Sequence, residues 1–190
     1  MNAEIEPQPE DDLTQPANIT HWETSEDNLF EAKIVVVELR HFHDTMATNE
    51  LAKVPIEVWG ALETGIQPEQ QQAIDQLVEN QDEIFEHVRE AIYQDYTSDY
   101  DALKEVWELG AKMYSADDID TNKYVPEVKV GNEIDHLVTF ISISIGRFKD
   151  GVAPMGIAAD AAWTANGIGV LLRDGKVIEV GTGYVGIPDQ

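Results

Sequence analysis

The chain has 190 residues, of which 37 are acidic and 12 are basic, and it contains no cysteine. This length is typical of a single domain that can bury a hydrophobic core. A net charge of -25 disfavours the binding of nucleic acids or anionic membranes over a broad surface, because both require clustered Lys and Arg. The lack of cysteine excludes disulfides, thiolate nucleophiles and thiolate metal sites.

The sequence also predicts where the protein works. Its first residues carry neither the positive flank nor the apolar run of a secretory signal. No stretch approaches the roughly 20 apolar residues that span a bilayer. We therefore expect a soluble, cytoplasmic protein.

The negative charge is concentrated in the first two thirds of the chain. Residues 1–122 hold 29 acids and 6 bases, a net charge of -23, whereas residues 123–190 hold 8 acids and 6 bases, a net charge of -2. Residues 1–28 contain three prolines and no Lys or Arg, which predicts an acidic, disordered leader. Trp22 is interpreted as an exposed anchor within this leader. Residues 29–190 are expected to form one α+β domain.

Strands are predicted before the helices. Ile34 to Val37 is a run of β-branched residues followed by alternating polar residues, which predicts a strand over residues 32–40. A second extended segment is predicted over residues 54–59.

Three helices are predicted in the centre of the chain. Pro68 is typical of a first helical residue, and apolar residues recur after it at helical spacing. Asn80 predicts the cap of a second helix whose apolar face includes Phe85 and Val88. A third helix is predicted over residues 101–114, with one apolar side formed by Leu103, Val106, Trp107 and Met113.

The last third of the chain has the pattern of an antiparallel meander. Residues 138–145 alternate between apolar and small polar side chains, which predicts a half-buried strand. Residues 155–163 form a second predicted strand whose Ala and Gly indicate a close approach of another backbone. Asp174 and Gly175 then separate two apolar runs, which predicts a tight hairpin. The predicted fold is α+β, with N-terminal strands, central helices and a C-terminal antiparallel β-meander.

A possible metal site lies at the end of the first predicted strand. His41 and His43 are two residues apart, so they point to the same face of an extended segment, beside Asp44. Imidazoles and a carboxylate can bind a divalent metal, which gives a metal-dependent hydrolase as an alternative hypothesis. A polar surface loop without metal is the competing interpretation. Our leading functional hypothesis, a protein that binds another protein without catalysis, includes no metal and no other cofactor.

The C-terminal motifs resemble those of an uncharacterised bacterial family of domains of unknown function. Residues 156–163 lead from a Gly/Ala-rich strand to Trp163, then to Asn166-Gly167, and finally to the Asp174-Gly175 hairpin. In the family, a strand carrying Trp leads to an acidic-His-Gly-x-Gly-Val turn and then to an Asp-Gly hairpin. The resemblance covers residues 30–187. Because some relatives occur near toxin and immunity systems, the resemblance implies a binding protein of an immunity-like kind.

This chain departs from the family pattern at one informative place. Ala165 and Asn166 stand where the family has an acidic residue and His. An amide cannot exchange protons near neutral pH as an imidazole does. Asn166-Gly167 nevertheless suits a tight turn, so Trp163, Asn166, Gly167, Asp174 and Gly175 are interpreted as structural turn residues.

The leading functional hypothesis is a non-enzymatic protein that binds a basic protein through an acidic surface. A negative field steers a basic partner into encounter. Charged helix residues are more often only a solvated face, and this is the competing interpretation. The candidate binding residues are Asp82, Glu83, Glu86, Glu90 and Trp22.

Overall fold

A computed structural model describes residues 22–23, 32–39, 52–61, 65–113, 120–147 and 151–188. Seven strands and two α-helices occur in these ranges. The strands are β1 (Trp22–Glu23), β2 (Ala32–Leu39), β3 (Ala52–Trp59), β4 (Val138–Ile145), β5 (Met155–Ala161), β6 (Thr164–Arg173) and β7 (Lys176–Thr182). The helices are α1 (Pro68–Glu79) and α2 (Gln81–Met113), and short 3-10 helices form at Thr121–Lys123, Gly131–His136 and Gly183–Gly186.

The strands form one sheet in chain order, from β1 to β7. Every neighbouring pair is antiparallel except β3 and β4, which are parallel. Both helices lie in the chain between β3 and β4 and provide the crossover that a parallel pair requires. The fold is therefore α+β with strands at both ends of the chain, which confirms the predicted fold class.

One face of the sheet packs against the helices and forms the core. Ile56 of β3 lies opposite Ile143 of β4, which lies opposite Ile157 of β5, and all three are buried. From the helix layer, Phe85 meets Phe140 edge to face, with ring centroids 5.2 Å apart. The alternating residues of the same strands point to the opposite face.

Helix α1 is attached to the sheet by a buried amide. Gln70 Nε2 donates to the backbone oxygens of Trp59 and Gly146, each at 2.9 Å. Its Oε1 accepts from the Gln67 backbone N–H, just before the helix begins at Pro68. Both ends of the buried amide are thus satisfied, which avoids the cost of an unpaired polar group.

The predicted second and third helices are one continuous helix of 33 residues, α2. Residues 93–101 contain neither Gly nor Pro, so nothing in this segment breaks the helix. Thr97 and Ser98 occupy their hydroxyls by donating to carbonyls of the preceding turn.

The predicted apolar side of the third helix was wrong in part. Leu103 and Trp107 are half-buried, but the side chains of Val106 and Met113 are 66% and 80% exposed. Trp107 stacks on Tyr124 and donates its Nε1–H to the Trp163 oxygen at 2.8 Å. At 100° per residue, positions 106 and 113 lie well away from 103 and 107, so only the latter pair faces the protein.

The C-terminal meander has two tight reversals. Asp174 and Gly175 join β6 to β7 with φ angles of 52° and 68°, the positive values that this dipeptide tolerates. Between β5 and β6 the chain reverses at residues 162–163, beside the buried Trp163. The turn predicted at Asn166-Gly167 is therefore placed four residues too late, because the pairing of Ala161 with Thr164 closes the reversal first.

Asn166 and Gly167 lie within β6 instead. Gly167 has φ 65°, close to the irregular register at Ala159, and a Cβ there would lie 2.8 Å from the Ala159 oxygen. This explains why glycine occupies the position.

The C-terminal segment, residues 183–188, folds back onto the sheet face that the helices leave open. Side chains on Gly156 or Gly169 would collide with the backbone of Gly186. The close backbone approach expected at the Gly/Ala-rich strand is confirmed at Gly156.

Within the described ranges, neither α-helix combines the length and apolar character that crossing a bilayer demands.

Candidate functional site

The predicted acidic residues of α2 contribute to a groove between this helix and the 3-10 helix at Gly131–His136. Glu83, Glu86 and Glu90 line the groove together with Gly131 and Asn132, and its volume is about 640 Å³. The three glutamates fall on one side of α2 because they are three and four residues apart. We call this the acidic groove.

Basic side chains only partly neutralise the acidic groove. Arg89 also lines it, but Arg89 Nε donates to Asp135 Oδ1 at 2.7 Å. This ion pair is largely buried at both ends and fixes the 3-10 helix against α2. His87, exposed, lines the groove as well. The three glutamate side chains are exposed to solvent, so the groove presents a negative surface.

The structure separates the other predicted binding residues from these three. Asp82 is exposed on the first turn of α2 and is not among the residues that line the acidic groove. Trp22, assigned to the leader in the sequence analysis, has its backbone in β1 at the sheet edge, opposite Val35.

The metal hypothesis concerns residues that the structure does not describe. His41, His43 and Asp44 all lie outside the described residues. Among the side chains that are described, no group of three His, Cys, Asp or Glu residues could hold a metal ion. The hydrolase alternative therefore stays a prediction.

A second groove lies on the sheet face away from the helices, and sequence reasoning missed it. Its volume is about 600 Å³, and it lies between the ends of β3 to β6 and the C-terminal segment. Small residues of β4 and β5 form its floor: Ser142, Ser144 and Ala158. Larger side chains line its edges: Glu57, Trp59, Ile141, Asp160, Asn166 and Ile187. We call this the sheet-face groove.

The groove exists because the residues of β4 and β5 that form its floor are small. Ser144 lies between Glu57 of β3 and Gly156 of β5, and it is 6% exposed. The backbone at Gly183 and Gly186 then forms one wall, where the C-terminal segment approaches the sheet. The signals in the sequence were the Ser-x-Ser alternation and the Gly/Ala-rich strand, but neither reveals which strands become neighbours.

The remaining turn residues have structural contacts. The ring of Trp163 is buried, and its centroid lies 4.7 Å from that of the Tyr96 ring. The backbone oxygen of Trp163 accepts a hydrogen bond from Trp107 Nε1–H. Asn166 is exposed, and its backbone N–H donates to Thr164 Oγ1 at 3.2 Å. Asn166 and Gly167 also line the sheet-face groove, so this part of β6 contributes to the surface of that groove.

Comparison with known proteins identifies one family. A family model with the description "Domain of unknown function (DUF6985)" matches residues 36–186. No curated protein and no solved structure matches the chain. The match begins within β2 and ends with the last 3-10 helix, so it includes the acidic groove and every lining residue of the sheet-face groove except Ile187.

Proposed function

The chain belongs to the DUF6985 domain family, and from that premise we propose that it is a non-enzymatic cytoplasmic protein that binds a basic protein, in an immunity-like role. The acidic groove is the binding surface. One observation carries this proposal: Glu83, Glu86 and Glu90 line one groove, while the neighbouring Arg89 is engaged by Asp135.

The geometry suits the recognition of Lys or Arg side chains. Arg89 lines the groove, but its charge is paired with Asp135, so it offsets little of the negative charge there. Exposed carboxylates can form charge-assisted hydrogen bonds with a cationic partner, although Glu90 Oε1 also accepts from Gln94 Nε2 at 2.9 Å. The surrounding helices add to the field, since α1 and α2 together hold 12 acids and 3 bases, a net charge of -9.

The test needs a defined partner. A basic protein that co-purifies with the full chain from its source cells at low salt is identified, expressed alone and titrated by calorimetry. We expect the triple variant E83Q/E86Q/E90Q to bind about 10-fold to 100-fold more weakly, because each exposed ion pair contributes about 0.5–1 kcal/mol. Binding should also weaken as salt rises, since surface charge pairs are screened.

The matched control removes the same charge from other exposed positions on the helices. D75N/E79Q/D101N neutralises three exposed carboxylates outside the acidic groove. It should retain affinity within about threefold, because distant exposed charges are largely screened. Equal losses in the two triple variants would mean that only net charge matters. Affinity unaffected by salt, or no basic partner, would also contradict the proposal.

A further inference from the structure

The sheet-face groove has the charge pattern of a receptor for a linear organic cation with an ammonium group at each end. We propose that it binds a polyamine, with one ammonium group at Glu57, the other at Asp160 and the methylene chain between them. This proposal is independent of the acidic groove, which lies on the helix layer.

The first end of the groove combines a carboxylate with an aromatic ring. Glu57 and Trp59 are two residues apart on β3, so both point to the face away from the core, and both are half-buried. A carboxylate and an indole are the two groups that attract an ammonium most strongly in a partly desolvated site.

The second end lies diagonally across the sheet. Glu57 is opposite Ser144, Ser144 is opposite Gly156, and Asp160 follows four residues further along β5. Four residues extend about 13 Å along a strand and two strand spacings add about 10 Å, so the two Cα atoms are roughly 16 Å apart. With both side chains reaching inward, this separation suits a ligand with charges at its two ends and excludes a compact cation from contacting both.

The surface between the two carboxylates is suited to methylene groups. Ala158, Ile141 and Ile187 provide apolar contacts, while the hydroxyls of Ser142 and Ser144 can accept from an internal amine. Among the described lining residues there is no Lys, Arg or His. An anionic ligand would therefore meet only negative charge in this part of the chain.

Calorimetric titration of the full chain with spermidine tests the proposal. We expect E57Q and D160N each to weaken binding about 5-fold to 10-fold, and the double variant to weaken it about 50-fold, because each substitution removes one ammonium–carboxylate pair. Octylamine, which has a similar length but one charge, should bind at least about 10-fold more weakly than spermidine.

E179Q is the matched control, because Glu179 is an exposed carboxylate of β7 that does not line the groove. It should change the affinity by less than about twofold. Three results would overturn the proposal: no spermidine binding, equal effects of all three single variants, or equal binding of octylamine. The triple variant of the acidic groove should keep its spermidine affinity, which separates this site from the proposed protein-binding surface.

A different observation, an apolar stripe on α2, carries a second proposal. Ala102, Val106, Leu109 and Met113 recur at spacings of four, three and four residues along the second half of the helix. The last three are 66%, 51% and 80% exposed. This is the narrow seam through which two helices pack as a coiled coil. From it we infer that two copies of the chain associate through antiparallel α2 helices.

Charges beside the stripe favour a second copy as the occupant. In an antiparallel pair, Val106 packs against Leu109 of the other copy, and Ala102 packs against Met113. Glu105 and Lys112 each precede a stripe residue by one position, on the same side of the stripe. The twofold axis therefore brings each Glu105 beside Lys112 of the other helix, and each of these two contacts is an ion pair.

Sedimentation velocity across a concentration series measures this association. L109E should abolish the dimer, whereas I178E, which alters an apolar side chain of similar exposure on β7, should leave it intact. E105K alone should weaken dimerisation about 10-fold by opposing two lysines, and E105K/K112E should restore it to within about threefold. A monomer at every concentration, or a double variant as weak as E105K, would overturn the inference.

Discussion

Replacing Tyr96 with alanine should lower the free energy of unfolding by about 4 kcal/mol, as expected for a large aromatic side chain lost from a core. Tyr96 is fully buried in α2, and its ring lies 4.7 Å from the ring of Trp163. Its hydroxyl donates to the Pro126 oxygen at 2.6 Å. The side chain therefore joins the helix both to the β5–β6 reversal and to the segment before β4. Urea denaturation followed by circular dichroism measures the loss.

Y96F separates packing from hydrogen bonding. This variant keeps the ring but leaves the Pro126 oxygen without its donor, so we expect a loss of about 1 kcal/mol. A loss in Y96A no larger than in Y96F would show that the ring does not stabilise the core.

The stability of the wild-type protein and that of Y96F should also depend differently on pH. Burial, and secondly the neighbouring Tyr100, raises the pKa of Tyr96 to about 12. Below pH 10 the phenol is neutral in both states and gives no pH dependence. From pH 10 upward the unfolded chain ionises first, so wild-type stability falls by at most about 1.4 kcal/mol per pH unit until the folded pKa is reached. Y96F lacks this loss, so its deficit should close near pH 11.

Gly156→Ala should lower the free energy of unfolding by about 3 kcal/mol, the upper end of the usual range for overpacking. The new methyl group would overlap the backbone oxygen of Gly186 and lie 3.0 Å from Pro188 Cδ. A backbone cannot rotate away as a flexible side chain does. The C-terminal segment must therefore shift outward, and the wall of the sheet-face groove shifts with it.

Two measurements check this prediction. Amides of residues 183–187 should exchange faster in Gly156→Ala, and spermidine affinity should fall in parallel. Gly110→Ala is the control, since a Cβ at Gly110 meets nothing within 4 Å and alanine favours the helix. It should raise stability by about 0.5–1 kcal/mol. Unchanged exchange in Gly156→Ala would contradict the packing explanation.

The features predicted correctly from sequence depend on local rules. The Asp174-Gly175 hairpin requires only two residues that accept positive φ, and the start of α1 requires only Pro68 in a suitable context. The continuity of α2 was missed because polar residues near Thr97 resemble a loop in composition, although nothing there interrupts the helix. The reversal at residues 162–163 was displaced because Asn166-Gly167 has the stronger local turn chemistry, while strand pairing decides the outcome.

The two grooves also differ in how much of each could be predicted from the sequence. Glu83, Glu86 and Glu90 could be grouped from helical spacing alone, although their union with Gly131 could not. The sheet-face groove was not predictable, because Glu57 and Asp160 belong to strands that become near neighbours only through the order of the sheet. No periodicity within either strand specifies that order.

The single parallel contact in the sheet has a consequence for how fast the chain folds. Only three residue pairs join β3 to β4: Ile56 with Ile143, Glu57 with Ser144, and Val58 with Ile145. The N-terminal hairpin and the C-terminal meander can each form from neighbouring segments, but this seam must close a loop of nearly ninety residues. Pairing over such a separation is slow, so we expect the pairing of β3 with β4 to limit the folding rate. The amides of the N-terminal hairpin and of the C-terminal meander should become protected from hydrogen exchange before β3 and β4 pair.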